Sequence, residues 1–400
     1  MKFIILQADG MPDRPLKQLD NKTPLEVART PTINRILEKS EVGSVNHIPK
    51  GFKSGSDVGN LSVLGYDPVK FFTGRSPLEA ESIGINLGKN DITFRCNLVN
   101  IVNINESSIM EDYSAGHIKT EKAHTIINYL KKFIDNKNNV LYPGVSYRHI
   151  LVSRNPIDQI ETTPPHDILE KNIDKFLPNG SDSSEIISIM KVANKKIKDF
   201  KDEFSQFKNE KVSDIWLWGE GKKTILPNFE EINGINGSVI SAVDLVKGIG
   251  KCAGLDVINV PGATGYLDTN YAGKVKAGIQ SLINNDFLML HIEAPDETGH
   301  EGDCQKKIQA IEDLDSKVLK PLIDELDSNF KNYRLCIVSD HPTPIELRTH
   351  SYEYVPYIIY EKNSNLSNHN FKNFTESIVG QTENVINDGY KLLNLSLIHI

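Results

Sequence analysis

Short apolar runs recur along this chain, and the polar residues that close them fall at similar places. The first run is residues 2–7 (KFIILQ), closed by Asp9-Gly10. Residues 238–242, 257–260, 287–292, 335–339 and 357–360 repeat the pattern later in the chain. Such runs are too short for ordinary helices and are continuous rather than alternating, so they read as strands buried on both faces. Residues 307–326 carry apolar side chains at Ile308, Ile311, Leu314, Val318, Leu322 and Leu326, steps of three and four that predict an amphipathic helix. Pro321 inside that pattern predicts a kink. Buried strands separated by helices predict an α/β domain with a doubly wound, largely parallel sheet.

The middle of the chain reads differently. Residues 71–218 mix strand-like pieces (91–104, 145–152) with lysine-rich helical pieces (120–135, 185–210). This stretch is expected to form a smaller α+β domain inserted into the first. The main domain would then comprise residues 1–70 and 219–394, with hinges near 66–73 and 219–226. The 400 residues leave room for such a division, at about 150 residues per domain.

The lysine-rich run 191–211 reads as a solvated helical face. The net charge of −8, from 45 basic and 53 acidic residues, argues against a nucleic-acid partner. No apolar stretch approaches the roughly 20 residues of a membrane span. The short apolar start lacks the pattern of a signal peptide. Cys96, Cys252, Cys304 and Cys336 are too scattered for a CxxC metal site or a disulfide framework. The protein is therefore expected in the cytoplasm, with no membrane partner and an open oligomeric state. Residues 395–400 (LSLIHI) follow no pattern and are set aside as an artefactual or disordered tail.

The chemistry lies where the strands end. Asp9 follows the first run, Asp296 follows the run at 287–292, and Asp340-His341 follow the run at 335–339. In open α/β sheets, ligands bind at that edge. Asp296 and His300 are four apart, on one face of a helical turn, the spacing two ligands of one metal need. His350 adds a third imidazole. Three Asp and three His without a thiolate suit divalent ions such as Mn2+, Zn2+ or Mg2+. Each residue alone has a plainer explanation, since an Asp at a strand end commonly caps a helix. Their joint placement at successive strand ends favours the metal reading.

A nucleophile candidate lies in GSDVGNLSVLGYDP, where Ser56 or Asp57 stands at a helix N-cap ahead of Val58, Leu61 and Leu64. Helix N-termini favour phosphate, and a divalent ion beside the hydroxyl would make it nucleophilic. The competing explanation is that Ser56 only caps the helix.

This set of residues resembles the alkaline phosphatase superfamily, and within it the archaeal-type cofactor-independent phosphoglycerate mutases. The resemblance runs in family order through DGMPDRP, KTPLEVARTPTIN, GSDVGNLSVLGYDP, TGRSPLEA, DYSAGHI, TPPHDI, IWLWGEGKK, HIEAPDETGH and VSDHPTPIELRTH, across nearly the whole chain. It implies an alkaline-phosphatase-like fold and interconversion of 2- and 3-phosphoglycerate through a phosphoserine. It also implies two divalent ions, Mn2+ first with Zn2+, Mg2+ or Co2+ as alternatives, and no 2,3-bisphosphoglycerate.

Carried over by motif, Asp9, Ser56, Asp340 and His341 would hold one ion, and Asp296, His300 and His350 the other. The inserted domain would bind a small phosphorylated substrate through His117, Arg148, His166 and Asp167, with Asp167 as acid/base. Lys222 and Lys247 would add cations. Arg75 and Arg95 read equally as anion contacts or as packing arginines. The sequence departs from the family pattern at Met11-Pro12, where a second glycine is common, and at Gly59, where alanine is usual. Gly59 costs helix propensity of roughly 1 kcal/mol. The RCNL and VDLVKGIG segments also resemble a branch proposed to phosphorylate homoserine. A homoserine kinase-like phosphotransferase, or a phosphomonoesterase of the same superfamily, is therefore the alternative.

Overall fold

The computed structural model describes residues 1–397 except 106, 156, 158, 365 and 368. The chain divides into two compact units, Met1–Phe72 with Ile225–Ile400, and Thr73–Thr224. In chain order the strands are β1 (Lys2–Ala8) and β2 (Glu41–Val45), then β3 (Ile92–Ile104), β4 (Ser107–Asp112), β5 (Asn139–Tyr142), β6 (Arg148–Ser153) and β7 (Asp214–Lys222). After them come β8 (Gly237–Ile240), β9 (Asp256–Ile258), β10 (Phe287–Ile292), β11 (Tyr333–Val338), β12 (Val355–Glu361) and β13 (Val385–Ile386).

The first unit is built on one sheet of order β13-β2-β12-β11-β1-β10-β8-β9. β1 lies between β10 and β11 and runs parallel to both. The sheet is α/β and mostly parallel, but β12 runs antiparallel to β11 and to β2. Neither β2 nor β13 is anticipated from the sequence. Their segments are short and mixed in polarity, and only pairing at the sheet edge makes them strands. Alternate residues of the central strands point to opposite faces. Ile4, Leu6, Leu288, Leu290, Leu335 and Ile337 join one core with helices Pro31–Leu37 and Tyr271–Asn284. Phe3, Ile5, Val239, Met289 and Cys336 are buried on the other side, where helix Asp244–Cys252 brings Gly250 against Val239. Burial on both faces is why these strands read as continuous apolar runs.

The helix expected over 307–326 is longer and interrupted. Helices Cys304–Asp313 and Lys320–Asn329 flank a π-helical turn at Leu314–Leu319. Pro321 sits in the first turn of the second helix, where its missing N–H costs little. The irregularity falls just before it, because the ring crowds the carbonyl four residues back. The turn aims Asp315 at helix Pro31–Leu37, where its carboxylate accepts from Ile33 N at 2.8 Å and Thr32 N at 3.2 Å.

The expectation for the tail needs a correction. Residues up to Leu397 form helix Lys391–Leu397, with Ser396 and Leu397 buried. Arg334 donates to the Ser396 carbonyl at 2.9 Å. The remainder, residues 398–400, lies outside the described residues. No helix among those described is long and apolar enough to cross a membrane.

The second unit is an antiparallel sheet of β4, β3, β6 and β5, with β7 paired to β3. Helices Thr120–Ile134 and Ser183–Glu203 complete its core. β7 continues to Lys222, and the unit to Thr224, because the β3–β7 ladder extends from Val99↔Asp214 to Ile92↔Lys222.

One ion pair in the first unit is fully buried. Lys307 Nζ lies 2.9 Å from Asp13 Oδ2 and donates to the carbonyls of Thr343 at 2.7 Å and Pro12 at 3.3 Å. It ties the loop after β1 to the loop after β11. Lys307→Met leaves Asp13 buried without its counter-charge, and a loss of about 3–5 kcal/mol is expected, read as a lower urea midpoint.

Candidate active site

The polar rim is set by the strand ends. Asp9 follows β1, Asp296 lies in the first turn of helix Ala294–Glu301 after β10, and Asp340-His341 follow β11. Gly10 turns the chain out of β1 with φ +60°, and a Cβ there would lie 2.5 Å from both Asp296 Oδ1 and Thr343 Oγ1. A side chain there would collide with Asp296 and Thr343. Ser56 is the first residue of helix Ser56–Val63, and Gly55, rather than Ser56 or Asp57, occupies the cap position. This corrects the capping explanation for Ser56, whose hydroxyl is left to the rim. Ser56 Oγ lies 3.2 Å from His341 Nε2.

The imidazoles are oriented by what their other nitrogens meet. His300 Nδ1 donates to the Arg348 carbonyl at 3.0 Å, and His350 Nδ1 to the Ser54 carbonyl at 3.2 Å. A carbonyl only accepts, so each Nδ1 carries a proton. His350, lowered to about 3 by burial, then presents a bare Nε2, whereas His300, raised against its burial by Asp296 to about 9, keeps a proton on Nε2 as well. These two nitrogens face each other at 3.0 Å, with Asp296 oxygens 3.2 and 3.6 Å away. The Thr343 hydroxyl donates to Asp296 Oδ1 and so accepts from His341 Nδ1, at 3.3 Å. His341 Nε2 is thereby turned toward Asp340 Oδ2 at 3.2 Å and Asp9 Oδ1 at 3.8 Å.

The titration behaviour divides the rim. Against its burial, Asp296 is held well below its usual range by the charge and hydrogen bond of His300, while the groups outside this pair are shifted toward their neutral forms. Burial, then the charges of Asp340 and Asp296, hold the Asp9 carboxyl well above its usual range. Burial pushes Asp340 up to about 6, against a hydrogen bond with Asp9 and with the charge of Asp296. Burial also lowers His341 to about 4 and His350 to about 3. At His300 burial is outweighed by Asp296 and the Arg348 carbonyl, which raise it to about 9. Asp9 Oδ1 and Asp340 Oδ1 are buried with no hydrogen-bond partner. Two triads bring one ligand atom from each residue within 4.8 Å of the others: Asp296, His300, His350, and Asp9, Asp296, His341. The first is the expected set. The second shares Asp296, whereas Asp340 and Ser56 approach it through His341. Buried oxygen and imidazole acceptors short of donors fit divalent cations.

The second unit gathers another group. His117 and Arg148 flank the Tyr147 ring at 6.1 and 5.7 Å. Tyr113 packs edge-on to Tyr147 at 5.9 Å and to His166 at 6.0 Å, and His166 meets Trp218 at 5.4 Å. Asp167 is beside His166, both half-exposed on the turn Pro165–Ile168. Arg75 and Arg95 both bond Glu79 Oε1, at 2.9 and 2.7 Å, next to Trp218. Lys222 ends β7 in the second unit, and Lys247 lies on helix Asp244–Cys252 in the first, its Nζ 4.0 Å from Asp244 Oδ1.

Comparison with known proteins decides the relationship. Residues 38–206 match the family model described as 2,3-bisphosphoglycerate-independent phosphoglycerate mutase. A probable 2,3-bisphosphoglycerate-independent phosphoglycerate mutase of Geobacter sulfurreducens is 42% identical over 99% of this chain and 100% of its own length. The 2,3-bisphosphoglycerate-independent phosphoglycerate mutase of Methanothrix thermoacetophila is 46% identical, covering 90% of each chain. The chain belongs to this family. A solved structure from Pyrococcus horikoshii has the same fold, with a TM-score of 0.80 at 25% identity over 99% of this chain and 96% of that one.

Against the family pattern, Gly59 gains a physical reason. A Cβ at this position would lie 2.8 Å from the Asp340 Cβ, so glycine lets the Ser56 helix lie against the turn that carries Asp340. Met11 is fully buried and joins the main core.

Three rim residues escape the sequence reading. Asn60 donates to the Ser56 carbonyl at 2.8 Å and to Asp340 Oδ2 at 3.1 Å. Its signal is the four-residue step from Ser56. Thr343 orients His341, and its only signal is nearness to Asp340-His341. His291 bonds Asp9 Oδ2 at 2.8 Å, and the clue is a histidine within the apolar run FLMLHI.

Asp340 is ionised at pH 7.5 although its folded pKa is raised, so its charge costs stability above about pH 6. Asp340→Asn is expected to raise the melting temperature of the ion-free protein by about 2 °C or more, the shift about 1 kcal/mol gives in a large chain. Wild type should gain about 2.7 kcal/mol in Mn2+ at 100 times Kd. The variant should gain much less, and differential scanning calorimetry with and without Mn2+ checks both.

Proposed function

We propose that this chain interconverts 2-phosphoglycerate and 3-phosphoglycerate without 2,3-bisphosphoglycerate, through a phosphorylated Ser56. The observation that carries the reading is the Ser56 hydroxyl, 3.2 Å from His341 Nε2 and at the start of a helix, in a member of this family. In this proposal Asp9, Ser56, Asp340 and His341 hold one divalent ion, and Asp296, His300 and His350 the other. Mn2+ is the first choice, with Zn2+, Mg2+ or Co2+ as alternatives. When bound, the ions neutralise phosphoryl charge and lower the pKa of the Ser56 hydroxyl.

The chain's own groups then account for the chemistry. Ser56 Oγ attacks phosphorus as the bond to the substrate oxygen breaks, and the first-turn N–H groups of Ser56–Val63 favour the transferred phosphoryl group. Asp167 protonates the leaving oxygen of glycerate. Glycerate turns within the site, Asp167 takes the proton from its other hydroxyl, and that oxygen attacks the phosphoserine. Arg148, His117 and His166 hold the carboxylate and hydroxyls, with Lys222 and Lys247 as further cations. The reaction is placed in the cytoplasm, a setting that the free cysteines suit.

The phosphotransferase alternative needs a nucleotide site. The loosely similar segment GIGKCAGL begins inside helix Asp244–Cys252, with Gly248 and Gly250 buried, whereas a phosphate loop precedes its helix.

The test is an enolase-coupled assay with 3-phosphoglycerate, Mn2+ and no 2,3-bisphosphoglycerate. Turnover should appear and be abolished by chelator. Ser56→Ala should lose at least about 1,000-fold in kcat, a nucleophile's contribution, while Mn2+ still binds. Wild-type rates in that variant would sink the covalent route.

A further inference from the structure

We infer that His291 and Ser241 are positioning residues that give Asp9 one committed oxygen and one free oxygen. The inference rests on the proposal that Asp9 is an ion ligand, and adds what holds it in place.

The hydrogen bonds have one consistent direction. Val243 N donates to Ser241 Oγ at 2.9 Å. The Ser241 hydroxyl proton is then available to His291 Nδ1, 3.0 Å away. With its Nδ1 accepting, neutral His291 carries its proton on Nε2 and donates it to Asp9 Oδ2 at 2.8 Å. Lys274 Nζ bonds the His291 carbonyl at 3.2 Å and steadies the backbone from the other side. Ser241, His291, Lys274 and Asp9 are all buried, so water does not substitute for a lost link.

The consequence falls on Asp9. Its Oδ2 is engaged by His291, while Oδ1 is buried, meets no N–H or alcohol donor and lies 3.8 Å from His341 Nε2. A carboxylate held this way offers a cation one oxygen in a fixed direction. The other triad, Asp296, His300 and His350, takes its orientation from the carbonyls of Arg348 and Ser54 instead. The relay therefore serves the position at Asp9 and not the one at His300.

Mn2+ binding to the full chain, followed by equilibrium dialysis with metal analysis and by electron paramagnetic resonance of bound Mn2+, tests this without relying on turnover. Wild type should bind two ions. His291→Ala should keep one at wild-type affinity and bind the other 10–100-fold more weakly, the usual effect of losing an outer partner of a ligand. The retained ion doubles as evidence that the variant is folded. Ser241→Ala should weaken the same ion about tenfold. His291→Gln, whose amide N–H can still donate to Asp9, should recover most of the loss. His300→Ala should weaken the opposite ion.

Wild-type affinity for both ions in His291→Ala would overturn the inference, as would loss of the same ion in His291→Ala and His300→Ala. Loss of both ions in His291→Ala and His291→Gln alike would also overturn it. A wild type that binds no ion would instead overturn the ion reading of Asp9, and the inference with it.

Discussion

Three carboxylates and three imidazoles meet at the ends of neighbouring strands, most of them deeply buried, with too few protons between them. Everything near the rim serves to hold this unfavourable arrangement. Gly10 keeps side-chain bulk away from Asp296 and Thr343, and Gly59 lets the Ser56 helix press on Asp340. Thr343 and the carbonyls of Arg348 and Ser54 turn each imidazole so that its Nε2 points inward. A packed sheet can impose such crowding because its strands are fixed on both faces. Loops alone would relax away from it.

Other buried charges in the same unit show the contrast. Lys307 and Asp13 neutralise each other, and the remaining Lys307 donors are taken by carbonyls. Asp315 is spent on two backbone N–H groups. These networks are complete and stabilise the fold. At the rim, by contrast, Asp9 Oδ1 and Asp340 Oδ1 have no partner, and carboxylate oxygens left so beside imidazoles suit a cation better than a structural staple.

Much of this was legible in the sequence because two signals coincide there. Central strands buried on both faces leave continuous apolar runs, and β10 matches its expected span, residues 287–292. The residues just past those runs are the rim, so Asp9, Asp296 and Asp340-His341 could be picked out by position. The strands β2 and β13, at one end of the sheet, were not legible, since their identity comes from pairing and not from pattern. Orienting residues such as Asn60 and Thr343 were hidden for a similar reason: their roles depend on hydrogen bonds to side chains hundreds of residues away or around a turn. Arg75 and Arg95 were ambiguous in the sequence, and only Glu79 at 2.9 and 2.7 Å reveals what holds them.

The position of β1 has a consequence for synthesis. The strand is made well before both its neighbours, β10 and β11, each of which pairs with it across more than half the described chain. While the ribosome is still adding those segments, Asp9 has no sheet to anchor it, and the acidic rim does not exist. The chain must keep KFIILQA, a sticky apolar stretch, unpaired until those later strands emerge. Completion of the sheet and assembly of the rim are therefore a single late event, and a truncated chain lacking β11 would hold neither.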